Sequence, residues 1–157
     1  MIRATVPADT PALLELARDT GVFKPAELTA LGEVLDDYHS TNRDQGHVAV
    51  SAEEAGRILG FAYYAPSAMS ERGWYLWWIA VRKDLQAKGI GGRLLTHAEE
   101  EIRGKNGRLL LIETSSQPHY EPTRKFYLKH GYDTAAVLKD FYADGDDMVV
   151  FRKRIDG

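Results

Sequence analysis

The sequence predicts an α/β fold with α+β character: one domain with a mixed central sheet of about six to seven strands and about four helices. Three observations carry that expectation. Apolar residues recur at helical spacing in some segments and at strand spacing in others. A strand–helix–strand unit runs from Trp74 to Thr114, long enough for a parallel crossover. The 157 residues match about one domain of ~150, large enough for a buried core without covalent staples.

Thr10-Pro11 reads as a helix cap and first turn, followed by Leu13, Leu16 and Ala17 at helical spacing, with a stop near Gly21. A second helix starts near Pro25, where Leu28, Leu31, Leu35 and Tyr38 share a side and Glu27, Glu33 and Asp36 take the other. Ser40 to Gly46 is a loop. Strands follow at Val48-Val50, Ile58–Ala65 and Trp74–Val81, and a short one near Ile2–Thr5 brings them to four, joined by turns that suit antiparallel hairpins. After Gly89, the stripe of Ile90, Leu94, Ala98 and Ile102, with Leu95 beside it, predicts a helix that leaves Glu99-Glu100-Glu101 outside and ends at Asn106-Gly107. Arg108 to Thr114 is almost wholly apolar, as in a strand covered on both faces. Pro122 opens a further helix in which Thr123, Tyr127 and His130 share a side, stopped by Gly131. Tyr132–Leu138 and Met148–Arg154 flank Asp144-Gly145-Asp146 as an antiparallel pair.

Composition narrows the function. Twenty Lys and Arg against twenty-three Asp and Glu give a net charge of −3, so no net positive field favours nucleic acid or an anionic membrane. The absence of cysteine removes disulfides, thiolate metal sites and a cysteine nucleophile. His39, His47, His97 and His130 are dispersed and show no metal-ligand spacing, so no metal is expected. The amino terminus lacks the apolar run of a signal peptide and no stretch of roughly 18 apolar residues occurs, which makes the cytoplasm the default compartment.

The most specific stretch runs from Ile79 to Arg93, a strand passing through a glycine-rich turn into a helix. Backbone N–H groups at such a helix start lack partners and can bind phosphate oxygens, aided by the helix dipole. Gly89 and Gly91 keep that approach open and permit positive φ. Gly91-Gly92-Arg93-Leu94 has neither the Lys nor the hydroxyl of a nucleotide P-loop, and Leu94 stands where a dinucleotide fingerprint needs glycine. What remains is Gln-x-x-Gly-x-Gly at Gln86, Gly89 and Gly91. It resembles the pyrophosphate loop of the GNAT superfamily of acetyl-CoA-dependent N-acetyltransferases, and the order of elements along nearly the whole chain is similar to that family's.

The resemblance implies the GNAT fold over residues 1–157, acetyl-CoA as co-substrate, and a set of coenzyme contacts. Backbone groups of Ile79, Ala80 and Val81 would bind the pantetheine arm as an added strand. The turn of Gln86, Ala87, Lys88, Gly89, Ile90, Gly91 and Gly92 would wrap the pyrophosphate, with Arg93 adding charge nearby. Within the family the sequence looks most like the ribosomal-protein alanine N-acetyltransferases, in which Ile-Ala-Val precedes the loop and a Glu on the next strand is the base. Glu113 matches that position, though the spacing to the helix tyrosine is two residues longer.

Acetyl transfer to an amine needs a base, because an amine of pKa ~10.4 is mostly protonated at pH 7, and an acid for a departing thiolate of pKa ~8.5. Glu113 ends an apolar strand at the edge where open α/β sheets place ligands. Phe126-Tyr127-Leu128-Lys129-His130-Gly131-Tyr132 resembles the family's Tyr-x-x-x-Gly-Phe segment, which implies Tyr127 as the acid. The sequence departs from the family at Tyr120 and Thr123, where Asn and Ala are usual. Ser115, Ser116 or Thr123 could substitute for that Asn, and His119 is a second candidate base.

On the acceptor side, Trp74, Tyr75, Trp77 and Trp78 cluster on one strand. Strict alternation would set Trp77, Ile79 and Val81 on one face and Trp74, Leu76, Trp78 and Ala80 on the other. An aromatic wall with Glu33, Asp36, Asp37 or Asp140 nearby would suit a cationic amine. The expected partner is thus a small-molecule or peptide amine, with no nucleic acid and no membrane, and there is room for a homodimer. Two other readings stay open: a non-catalytic acyl-CoA-binding or sensor module of the same fold, and an interaction domain whose glycine loop is only structural.

Overall fold

The computed structural model describes residues 1–156. It contains β1 (Ile2–Ala4), α1 (Thr10–Thr20), α2 (Pro25–Ser40), β2 (Val48–Glu54), β3 (Arg57–Pro66), β4 (Gly73–Val81), α3 (Ile90–Gly104), β5 (Leu109–Ser115), α4 (Glu121–Lys129), β6 (Asp133–Ala143) and β7 (Asp146–Arg154). One seven-stranded sheet runs β1-β2-β3-β4-β5-β7-β6. Only β4 and β5 pair in parallel; every other neighbouring pair is antiparallel. A crossover through α3 makes the parallel step, as the Trp74 to Thr114 unit predicts.

Alternation along β3 distributes the core. Ala62 and Tyr64 face α3 and α4, packing with Leu94, Leu95, Ile102 and Tyr127, whereas Phe61 faces α1 and α2 with Leu13, Leu31 and Leu35. The helices therefore sandwich the sheet. The β2–β3 turn is tight because Ala55 and Gly56 both take positive φ, 53° and 76°, the twist that a two-residue hairpin requires. β6 is longer than the sequence indicates, and all its residues are exposed because it is an edge strand that pairs with β7 alone.

Three expectations are corrected. The aromatic strand does not alternate strictly: Tyr63 pairs with Trp78 and Tyr64 with Leu76, so Trp77 is a bulge. Trp74 and Leu76 consequently share the α3 face with Ile79 and Val81, and Trp78 and Ala80 pack under α1 and α2. β5 is buried on one face only; Leu110 and Ile112 are covered, while Leu109 and Leu111 are half-buried and Glu113 is exposed.

The third correction concerns α3. Glu99 is 7% exposed, because it flanks the stripe through Leu95 and Ile102. Its Oε2 accepts from Tyr132 Oη at 2.6 Å and from Lys153 Nζ at 3.0 Å. Glu101 is half-buried and accepts from the Tyr64 hydroxyl. A carboxylate that far from water is tolerated only with such donors. Glu99→Ala strips a buried phenol and an ammonium of their acceptor, and a loss of about 3 kcal/mol is expected. Chemical denaturation checks this as a lower midpoint at unchanged slope.

Candidate active site

The parallel pairing of β4 and β5 lasts only from Gly73 opposite Leu109 to Leu76 opposite Ile112. It stops at the bulge. An extra residue bends and twists the strand that carries it, so β4 leaves β5 from Trp77 onward and a wedge opens between them. Arg82 N–H donates to Leu59 C=O at 2.8 Å. By the two-residue period of the ladder, Ala80, which pairs with Phe61, also turns its backbone to β3. Ile79 and Val81 turn theirs to the wedge. Of the three residues expected to offer backbone groups, Ala80 is therefore committed to the sheet.

After β4 the chain makes a short turn at Lys83–Leu85 and reaches α3 through Ala87 at φ 67° and Gly89 at φ 83°. No side chain caps α3, and its first backbone bond runs from Arg93 N–H to Gly89 C=O at 3.1 Å. The first-turn N–H groups of Ile90, Gly91 and Gly92 are left without intrahelical partners and face the turn. Gly89 is needed for its positive φ. Gly91 differs from what its spacing suggests: it is helical, with no positive φ, and a Cβ there would stand 3.4 Å from the Phe126 ring, an ordinary contact. Gly92 is the tighter position, where a Cβ would stand 3.0 Å from the His130 ring. The Ile90 side chain is in the core, and Gln86 Nε2 reaches back to the Val81 carbonyl at 3.5 Å.

The wedge and this turn open into one cavity of about 1570 Å³. That exceeds the ~300–1,000 Å³ of a single small-ligand pocket and has room for two substrates. Ile79, Val81, Gln86, Ala87, Gly89, Gly91, Gly92 and Arg93 line one end. Lys88 is exposed and lies outside the lining, so the cation beside the turn is Arg93.

Glu113 and Tyr127 both line the cavity. Glu113 stands at the end of β5 on the exposed face, opposite Val150 of β7. Tyr127 is 3% exposed, its ring packed on Phe151 and Tyr132 at centroid distances of 5.5 and 6.0 Å. Its phenol forms no hydrogen bond with the described residues, and burial pushes its pKa well above the usual tyrosine range. A neutral phenol facing a cavity can give a proton to an anion formed there. Among the described residues none competes for that proton.

A family model for the acetyltransferase (GNAT) family matches residues 11–132. The chain belongs to the GNAT acetyltransferase family. A solved GNAT-family acetyltransferase structure from Desulfovibrio desulfuricans is 35% identical with a TM-score of 0.94, covering 99% of this chain and 98% of that one. The ribosomal-protein-S18-alanine N-acetyltransferase of Escherichia coli shares the fold at 17% identity, with a TM-score of 0.80 over 100% of this chain and 94% of that one. An uncharacterised N-acetyltransferase of Methanocaldococcus jannaschii is 29% identical over 106 residues, 66% of this chain and 64% of the relative. This chain thus matches somewhat under two thirds of that relative's length.

Tyr120, one of the two positions at which the sequence is expected to depart from the family pattern, is half-buried on the cavity wall with Thr123 and the exposed His119 beside it. Ser116 is not in the wall; it exchanges bonds with Asp147, accepting its N–H at 2.8 Å. Ser115 is in the wall and donates to Asp146 Oδ1 at 2.5 Å. The acids of this GNAT cavity also differ from those the sequence suggests. Glu33, Asp36, Asp37 and Asp140 are absent from the lining, whereas Glu27, Glu113 and Asp146 face it together with Tyr75, Trp77, Trp78 and Tyr142. Asp146 reaches the site through the β5–β7 pairing, which has no local sequence signal. Among the described residues no group of three or more His, Asp or Glu could hold a metal, and no helix is long and apolar enough to cross a membrane.

Proposed function

We propose that the protein transfers the acetyl group of acetyl-CoA to a primary amine by direct attack of the neutral amine on the thioester. The observation that carries this reading is the buried Tyr127 phenol, free of hydrogen bonds, in the same cavity as the exposed Glu113 and beside the unpaired edge of β4. The coenzyme fits the residues present. The backbone of Ile79 and Val81 would hold the pantetheine arm, and the turn from Ala87 to Gly92, with Arg93, would hold the pyrophosphate. Acetyl-CoA supplies an activated carbonyl there. Glu113, directly or through a water, takes a proton from the acceptor ammonium. The amine nitrogen then adds to the acetyl carbon; as the C–S bond breaks its second proton passes to solvent water, and Tyr127 delivers a proton to the departing sulfur and regains one from solvent. The N–H of Val81, turned to the wedge, lies where it can stabilise the oxyanion between these steps.

A pair of loop variants tests the coenzyme assignment. Gly91→Glu is expected to weaken coenzyme A binding at least tenfold, about 1.4 kcal/mol, by placing a carboxylate against the phosphates. Gly91→Ala tests the packing alone, because its Cβ would stand 3.4 Å from Phe126 and 3.6 Å from Val81, and it is expected to bind nearly as the parent does. Calorimetry separates the two. Equal affinity for both variants would remove the turn from the coenzyme site.

A further inference from the structure

The end of the cavity away from the glycine turn collects carboxylates with too few cations to match them. Asp146, at the start of β7, is 5% exposed. Its Oδ1 accepts from Ser115 Oγ at 2.5 Å, and that hydroxyl in turn accepts the N–H of Gln117 at 3.0 Å, so the carboxylate is fixed in place. Its Oδ2 has no hydrogen bond; the nearest cation is Lys24 Nζ at 4.0 Å, on a side chain 62% exposed. A carboxylate so far from water is costly without a close partner. Glu27 faces the same space from the first turn of α2, tied by its Oε1 to the N–H of Lys24 at 2.9 Å. Glu113 faces it from β5. The other cation nearby, Arg124, is committed to the Ser115 and Gln117 carbonyls at 2.7 and 3.0 Å. Three carboxylates therefore share one loosely held ammonium.

A second observation marks this space as a ligand's. The Tyr127 phenol, buried and without a hydrogen bond, opens into the same cavity. The phenols of Tyr120 and Tyr142 feel the same negative field: burial with Glu113, Asp146 and Glu27 pushes Tyr142 up to about 12, and burial with Glu27, Tyr142 and Asp146 pushes Tyr120 up as well. Burial, the larger cause, disfavours any charge, whereas the carboxylate field that adds to it attracts a cation.

Geometry sets how many charges the ligand carries. Glu113 and Ser115 lie on one face of β5, two residues apart, a rise of ~7 Å, and Asp146 is bonded to Ser115. The reacting amine at Glu113 and a cation at Asp146 would occupy distinct positions along one short molecule. We propose that the acceptor is a diamine or larger polycation, whose second ammonium is held by Asp146 and Glu27 while its first is acetylated at Glu113. The Lys24 ammonium marks the place of that second charge, and its exposed side chain leaves when the ligand arrives. This deepens the amine acetyltransferase reading and rests on it.

Turnover and binding test it separately. Coenzyme A release is measured with 1,4-diaminobutane and with butylamine, and calorimetry measures the binding of each to the protein with coenzyme A. The diamine is expected to surpass the monoamine at least tenfold in kcat/KM and in affinity. Asp146→Asn should collapse the diamine-to-monoamine ratio towards one, mostly through KM. Lys24→Gln, an exposed change that threatens no packing, should tighten the diamine severalfold by freeing Asp146, and it decides the matter if Asp146→Asn does not fold. Equal handling of the two amines, including no measurable binding of either, overturns the proposal, as does diamine affinity unmoved or weakened by Lys24→Gln. Tight diamine binding that depends on Asp146, with no coenzyme A released, would uphold the subsite and overturn the transferase reading instead.

Discussion

Tyr127→Phe is expected to lower kcat by on the order of 10² and to leave coenzyme A affinity within about twofold. The two effects separate because the ring and the hydroxyl do different things. The ring fills a core position among Phe126, Tyr132 and Phe151, and phenylalanine keeps that packing. Among the described residues the hydroxyl has no hydrogen-bond partner, so its loss leaves no buried partner stranded. Burial holds the phenol neutral well past physiological pH, so the acid form is present throughout the working range. Rapid-quench kinetics of the acetyl step provide the check. A rate within twofold of the parent, with chemistry limiting, would make Tyr127 a packing residue and leave water to protonate the sulfur.

Glu113→Gln is expected to slow turnover by on the order of 10² at neutral pH, more at lower pH, with recovery as pH rises. The sign follows from the acceptor. A primary amine of pKa ~10.4 is almost wholly protonated at pH 7, and the enzyme without its base depends on the neutral fraction, which grows tenfold with each pH unit. Glutamine keeps the size and takes no proton. Glu113 is exposed at a strand end with no hydrogen bond from the described residues, so the substitution costs little stability and the kinetic effect is readable. A pH–rate profile that overlays the parent's would pass the base role to His119 or to an ordered water, since His119 lies on the same wall.

Features that depend on neighbours in sequence were legible. The helical stripes, the turn at Gly89, the stop at Gly131 and the parallel step around α3 all follow from local periodicity and backbone chemistry, and the glycine turn, Glu113 and Tyr127, singled out on those signals, line one cavity. What escaped depends on pairing across the sheet. The bulge at Trp77 exists only relative to Tyr63 and Tyr64, and it decides both the faces of the aromatic strand and the opening of the wedge. Glu99 lies in an acidic run that looks solvated, but its partners Tyr132 and Lys153 are 33 and 54 residues away. Asp146 reads as a turn residue until β7 sets it against Ser115, 31 residues earlier in the chain. Gly91 shows the converse: its place in the loop pattern is as expected, but it is helical and a Cβ there would make only ordinary contact with Phe126 of α4.

The central claim is that one cavity brings an acetyl thioester and an amine together for direct transfer. The most direct test is a product balance, in which coenzyme A released and acetylated amine formed are both quantified by mass spectrometry on incubation with acetyl-CoA and an amine panel. The account predicts equal amounts of the two, formation only when amine is present, and a parallel fall of both, on the order of 10² in rate, in Tyr127→Phe. Coenzyme A release that ignores the amine, or tight coenzyme binding without any acetylated product, would contradict it.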